Sequence, residues 1–381
     1  MTIQRNTDNE GKKIAVTGAN GFIGANCTFA LLEAGFDVVA VLRDPTNEDK
    51  TNFLREEATR LSKIDHLEFA SGDLLRNGSY DTAFEGCYGV LHTATNLELG
   101  NCGGDDSYKY KHIVQPAVEG TRNVIASIKK NASTIQRFVN LSSLAAIQSM
   151  DAPADHVFVD TDWNTYATVE NGYAYGYAKT EAERAIWDDS KLQSQLDVIV
   201  SLNPSVVLGP AYCRHHAEHG SSALIRNVLL GIPFMNFCMT FVDVRDVAKG
   251  VLCVFTKSQE QAVNTLHGKR FILNATKSQD SIPYLNKSVK KSFPDAKGAR
   301  PLFNDRKTNT VFWIGNYCPC LRKLLRYFGC PDEYSKKLVQ FDNTQSKEVL
   351  GIGSYHTMDD TCLVSAESMT PFLQNNALFK Y

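Results

Sequence analysis

The stretch NGYAYGYAKTEAE, residues 171–183, carries three tyrosines at alternate positions, Tyr173, Tyr175 and Tyr177, with Lys179 after them. A phenol ordinarily loses its proton near pH 10, too high for easy exchange at neutral pH. An ammonium group beside it stabilises the phenolate and lowers that barrier. Spacing selects the tyrosine. Thr180, Glu181, Ala182, Glu183, Ala185 and Ile186 can all continue a helix, the alanines and glutamates most readily. On that helix Tyr175 and Lys179 share a face, with Cβ atoms about 5–6 Å apart. Tyr177 falls on another side, and Tyr173 precedes the helix, next to Gly172. A short strand, Phe138 to Leu141, delivers Ser142 and Ser143 to its end, where a hydroxyl can hydrogen-bond a substrate oxygen. Taken alone, Tyr175 and Lys179 also fit a core aromatic beside a solvated helix charge. Joined to a nucleotide fold and a serine pair, they fit proton delivery better.

The nucleotide fold is written near the start, in KKIAVTGANGFIGANCTFALLEAGFDVVAVLRD, residues 12–44. Lys13 to Thr17 reads as a strand ending at Gly18, with Gly21 and Gly24 after it. A helical apolar pattern follows through Phe22, Ile23, Phe29 and Leu32, stopped by Gly35. Asp37 to Leu42 is a second strand. Strand, glycine turn, helix, strand is the order that places a pyrophosphate on a helix N-terminus. Gly18 permits the tight turn, Gly21 leaves room for phosphates, and Gly24 lets helix and strand pack closely. Where an NAD site usually has an acid at the end of the second strand, this chain has Arg43, then Asp44. A guanidinium suits a 2′-phosphate, and Lys50 could help, so the pattern favours NADP(H). Asp44 turned toward the ribose would suit NAD(H); its other place is facing solvent or capping the turn before Pro45.

Further strands follow. His66 to Ala70 leads into Asp73, which could bond the adenine amine or N-cap a following helix. Gly89 to His92 leads into Thr93, Ala94 and Thr95, small residues that fit a backbone-lined cofactor path. Gln115 to Lys130 is a long helical pattern, and LDVIVSL (196–202) is a strand that ends at Asn203 and Pro204. The alternation predicts an α/β fold: a Rossmann-type doubly wound parallel sheet with a smaller C-terminal substrate-binding domain. The expected division is 12–210 for the NADP-binding domain, with elements of about 238–275 interleaved, 211–355 mainly for the substrate domain, and 356–381 as a tail.

The chain has 381 residues, 40 basic and 42 acidic, for a formal charge of −2. That balance calls for no nucleic acid and no membrane as partner. The polar start, MTIQRNTDNE, does not read as a signal peptide, and the expected location is cytoplasmic. Ten cysteines without framework spacing read as reduced thiols. AYCRHHAEHG (211–220) holds Cys213, His215, His216 and His219, but Pro210 and Gly220 favour a loop. No metal is expected there; a mobile loop over the substrate site is, with one histidine able to touch substrate. Cys318, Cys320 and Cys330 are too widely spaced for a structural zinc. The tail beyond Asp360 shows no clear periodicity.

The chain resembles the extended short-chain dehydrogenases/reductases, and within them the dihydroflavonol reductase, cinnamoyl-CoA reductase and yeast aldehyde (carbonyl) reductase group. The resemblance rests on TGANGFIG (17–24), VLRDPTN (41–47), GDL (72–74), GVLHTAT (89–95), EGTRNVI (119–125), LSSLAA (141–146), YAYGYAKTEAE (173–183), NPSVVLGP (203–210) and FVDVRDVA (241–248), and covers about residues 12–350. It implies catalysis by Ser143, the second serine of the pair, with Tyr175 and Lys179. It implies cofactor contacts from Gly18, Asn20, Gly21, Phe22, Ile23 and Gly24 in the turn, and from Arg43 and Lys50 at the 2′-phosphate. Asp73 and Leu74 would meet the adenine end, and Thr93, Ala94 and Thr95 the path between. Tyr175, Lys179, Asn203, Pro204 and Val206 would lie along the nicotinamide, Asn203 and Pro204 in a loop that passes it. Asn123 matches a structural asparagine, and FDNTQSKEVLGI (341–352) a closing segment in which a helix brings the C-terminal region against the small domain. The implied function is NADPH-dependent reduction of a small-molecule aldehyde or ketone by a monomer. Kept beside it are a 3β-hydroxysteroid or sterol dehydrogenase, a nucleotide-sugar epimerase or dehydratase, and an inactive NADP-binding regulator. Arg43 speaks mildly against the first, the apolar IRNVLLGIPFMNF (225–237) against the second, and the intact Ser143, Tyr175 and Lys179 set against the third.

Overall fold

The strands β1 (Lys13–Thr17), β2 (Asp37–Leu42), β3 (Leu67–Ser71), β4 (Gly89–His92), β5 (Arg137–Leu141), β6 (Val198–Pro204) and β7 (Lys269–Leu273) form one sheet in the order β7-β6-β5-β4-β1-β2-β3. Every neighbouring pair is parallel. This is a computed structural model, and it describes residues 9–95, 105–234, 236–301 and 338–373. The valine- and isoleucine-rich strands are what a sheet covered on both faces requires. Side chains alternate between the faces. Ile14, Val16, Val38 and Ala40 pack on one side with helix α1 (Phe22–Glu33). Ala15, Val39, Val41 and Val90 pack on the other with α3 (Gln115–Lys130). Helix α2 (Glu48–Arg60) follows β2; α4 (Ala174–Trp187) joins α3 on its face through Ile186; α5 (Val244–Thr256) joins α1 through Val247, Val251 and Val254. Chain order reverses between β1 and β4, so the crevice for a ligand opens at their carboxyl ends.

A third core lies apart from the sheet. It joins Val228 and Leu229 of the helix Ala223–Leu230, Phe241, Leu285 and Val289 of α6 (Ser281–Ser292), and Cys362, Met369 and Leu373 of α7 (Met358–Leu373). Helix α7 replaces the tail in which no periodicity was expected. Its buried face mixes Thr361, Ser365 and Ala366 with Met358, Cys362, Met369 and Leu373, and the small polar members blur the apolar stripe. Other boundaries also move. The helix of α3 begins earlier, at Asp106, and passes through a π-helical turn, Tyr110–Val114, into Gln115. Strand β6 includes Asn203 and Pro204, which pair with Ile272 and Leu273, so neither sits in a loop. The closing segment itself packs on the sheet's core through Leu350 and Ile352, with Lys249 of α5 donating to the Ile352 carbonyl at 2.7 Å, and α7 after it lies in the small core. Cys318, Cys320 and Cys330 lie outside the described residues. Among the described residues no helix is long and apolar enough to cross a membrane.

Candidate active site

The glycine turn is held by two tight approaches. Gly18 has φ +69°, and a Cβ there would stand 2.8 Å from the Ala94 Cα. A Cβ at Gly24 would stand 2.2 Å from the Gly18 carbonyl oxygen, so α1 meets the turn with no room for any side chain. Gly21 is the N-cap of α1, with no side-chain cap and no acid in the first turn. The positive end of the helix is therefore not neutralised by the chain itself, which suits a pyrophosphate. Phe22 and Ile23 open α1, half-buried. Thr93 locks β4 to β1 by donating to the Thr17 carbonyl at 2.7 Å, and the Ala94 N–H donates to the Thr17 hydroxyl at 3.2 Å. Thr95 is exposed at the edge of the same crevice.

Arg43 is exposed beyond β2. Asp44 bonds within its own turn. Its Oδ1 accepts from the Thr46 hydroxyl at 2.6 Å and the Thr46 N–H at 3.1 Å, and these bonds hold its carboxyl below the usual range. Asp44 thus caps the turn that runs through Pro45 to Thr46, and it stays exposed to solvent. Lys50 stands in the first turn of α2, where its charge is felt by both Asp44 and His215. Asp73 caps a turn, not a helix: Oδ1 accepts from the Leu75 N–H at 3.0 Å. Leu74 is buried against Gly120, and its carbonyl accepts from Asn123 Nδ2 at 2.7 Å. Asn123 is therefore a tie between α3 and the end of β3.

Tyr173 is the N-cap of α4, so Tyr175 and Lys179 stand one turn apart on it. A Cβ on Gly176 would come within 3.1 Å of Asn164 Nδ2 and 3.2 Å of the Ala167 Cβ, with the Ala145 carbonyl oxygen at 3.5 Å. The bare glycine lets α4 close on the turn that follows β5. Ser143 opens that turn, its hydroxyl oxygen accepting from the Ala145 N–H at 3.1 Å. Tyr175 lines a cavity of about 240 Å³ with, among the described residues, Ile113, Ala145, Gln148, Met150 and the buried Lys109. Lys179 lines a smaller void behind it, about 20 Å³, with His92, Asn140, Ser142 and Glu183. His92 Nδ1 lies 2.8 Å from the Thr17 hydroxyl. Burial, and then the charge of Lys179, push His92 down to about 3, so it stays neutral. Val206 packs beside the small core, next to Leu208 and Phe241.

Below these groups is a buried charge pair that the residue pattern did not single out. Arg270 Nε of β7 donates to Glu183 Oε1 of α4 at 2.7 Å, with both side chains almost fully buried. Glu183 also accepts from the Ser142 hydroxyl and from Asn203 Nδ2 at 2.8 Å. Asn203 Nδ2 reaches the Ser143 carbonyl at 3.2 Å. Ser142 is thus committed to the interior, which separates the two serines. The signal was present in the four-residue step from Lys179 to Glu183, but a glutamate in a helix reads first as a helix former.

The histidine-bearing segment is not a loop over Tyr175. It holds a short helix, Arg214–Glu218, packed on the glycine turn. His216 is buried; its Nε2 lies 3.0 Å from the Asn20 carbonyl and its Nδ1 accepts from the Tyr212 N–H at 3.4 Å. Those partners place the proton on Nε2. Phe22 and Phe53 meet the ring edge-on at 5.9 and 5.1 Å. Burial pushes His216 down to about 4. The His215 and His219 rings lie 4.5 Å apart, tilted by 35°, on the exposed side.

A parallel sheet of this order, with a glycine turn at its switch point and a tyrosine–lysine helix beside it, defines the extended short-chain dehydrogenase/reductase class. Residues 14–266 match the NAD dependent epimerase/dehydratase family, and the chain belongs to it. It is 32% identical to a cinnamoyl-CoA reductase of Medicago truncatula, over 65% of this chain and 74% of that one. It is 31% identical to a bifunctional dihydroflavonol 4-reductase/flavanone 4-reductase of Malus domestica, over 53% of this chain and 56% of that one. The chain thus spans little more than half the length of the latter relative. Among solved structures, Gre2 of Candida albicans in complex with NADPH superposes with a TM-score of 0.71 at 23% identity, over 95% of this chain and 99% of that one, a likeness of fold.

Proposed function

We propose that the protein is an NADPH-dependent reductase of aldehyde or ketone carbonyls. The observation that carries this reading is Tyr175 and Lys179 one turn apart on α4, with Tyr175 in the wall of a cavity that is also lined by Ala145, in the turn that Ser143 opens. The reductase names of the similar proteins support it, as does the NADPH held by Gre2. The chain's own residues fit the cofactor: an uncapped helix end at Gly21 for the pyrophosphate, and Arg43, free of an acidic competitor because Asp44 is turned into its own cap, for the 2′-phosphate.

Bound NADPH supplies the hydride that goes to the carbonyl carbon. Ser143 donates a hydrogen bond to the carbonyl oxygen and fixes its place. Tyr175 gives its proton to that oxygen as charge develops, leaving an alcohol. Lys179 stabilises the phenolate that remains and would hold the nicotinamide ribose of a bound cofactor. His92, neutral behind Lys179, adds no competing charge. The test is NADPH oxidation, followed by absorbance, against aldehydes, ketones, a β-ketoester and a dihydroflavonol, with NADH in parallel. Turnover with preference for NADPH is expected. Tight NADP binding without turnover of any of them would overturn the reductase reading in favour of sterol or sugar-nucleotide chemistry, assayed in the oxidative direction.

A further inference from the structure

We propose that Glu183 and Arg270 are a positioning pair for the reducing site: they set the register between the helix that carries Tyr175 and Lys179 and the strand end that carries Ser143. The inference rests on the reductase reading above. Four elements converge on the pair. Glu183 belongs to α4, one turn beyond Lys179. It takes the Ser142 hydroxyl from the end of β5, Asn203 Nδ2 from the end of β6 and Arg270 from β7. Arg270 in turn donates to the Ala146 carbonyl at 3.3 Å, in the turn that Ser143 opens, and to the Asp160 carbonyl at 3.1 Å and that of Asp162. Its guanidinium lies 3.8 Å from the Trp163 ring centre, which covers it. Trp187 Nε1 donates to Glu183 from the next turn of α4 at 3.3 Å.

The consequence is geometric. Ser143 is bracketed on both sides by this network: Ser142 through its hydroxyl before it, its own carbonyl through Asn203, and Ala146 after it. None of these bonds reaches the glycine turn. Sliding α4 along the sheet would break the Ser142, Asn203 and Arg270 contacts together. A misplacement of about 1 Å at a reacting group can lower a rate about 100-fold. The pair should therefore govern turnover far more than cofactor affinity, since none of its bonds touches the turn that would hold the phosphates.

The test measures kcat, carbonyl KM, NADPH Kd by fluorescence and the melting temperature on the full chain. For Glu183→Gln, kcat should fall at least ten-fold with NADPH Kd within two-fold of wild type, and Glu183→Asp should recover part of the loss. If Glu183→Gln does not fold, Ser142→Ala removes one link and no charge. Its kcat should fall several-fold, again with Kd unchanged. Folded variants with wild-type kcat would overturn the inference. So would kcat and NADPH Kd worsening in parallel with the melting temperature, the mark of a merely structural pair. A wild-type protein inactive on every carbonyl would instead overturn the reductase reading, and this inference with it.

Discussion

On the proposed function, Arg43 is the side chain on which cofactor choice would turn. It stands exposed at the end of β2, while its neighbour Asp44 is spent on Thr46. A charge-assisted hydrogen bond is worth about 1.5–3 kcal/mol, or roughly 10–100-fold in affinity. Arg43→Ala should raise the NADPH Kd by about that factor and leave NADH nearly unchanged, measured by fluorescence titration. Equal losses for both cofactors would place Arg43 away from the 2′-phosphate. The positions of such residues were legible because they follow from short spacing: a basic residue at the second strand end, and a phenol four before an ammonium on one helix. Glu183 and Arg270 were not. They are 87 positions apart and meet only because β7 is laid beside β6. The resemblance placed Asn203 and Pro204 in a loop, yet pairing with β7 carries the strand through both.

At the scale of elements, the segment after β6 decides how the cofactor turn is held. Short helix Arg214–Glu218 inserts His216 between Phe22 of α1 and Phe53 of α2 and ties it to Asn20. Three histidines between a proline and a glycine suggested an unstructured loop. The apolar partners that order it, Phe22 and Phe53, lie in distant sequence. Burial holds His216 at about 4, below its ordinary 6.5. The unfolded chain therefore binds this proton more readily than the folded one between pH 6.5 and 4. Its share of stability is complete above about pH 6.5 and is lost as pH falls toward 4, at roughly 1.4 kcal/mol for each unit. Melting curves of wild type and His216→Gln across that range should converge as pH falls. Curves that stay parallel would show that His216 does not carry this dependence. A second prediction concerns the same turn: Gly24→Ala puts a methyl 2.2 Å from the Gly18 carbonyl oxygen, so α1 must move. Weaker NADPH binding and a lower melting temperature are expected, and unchanged binding would contradict the packing described.

Across the whole molecule, the parallel sheet was legible from alternating apolar runs and glycine turns, because each strand and its helix are local in sequence. The small core was not. It gathers residues from 206 to 373 around α7, whose inner face is built from serine, threonine, alanine and cysteine as much as from Met369 and Leu373. Helix α7 is also fastened by charge: Arg245 of α5 bridges Asp243 at 2.7 Å and Asp360 at 2.6 Å, and the Thr361 hydroxyl donates to Asp243 at 2.7 Å. Met369 is fully buried there, so Met369→Ala should cost about 2–5 kcal/mol, read as a lower denaturant midpoint. A midpoint equal to wild type would mean that α7 does not hold the small core together.

The reducing chemistry itself is tested most directly at one oxygen atom. Tyr175→Phe removes the phenol hydroxyl and little else. If Tyr175 delivers the proton, this variant should bind NADPH with wild-type Kd and lose about 100-fold or more of kcat for the best carbonyl found, since a positioned general acid contributes about that much. A folded Tyr175→Phe protein that turns over at the wild-type rate would contradict the assignment.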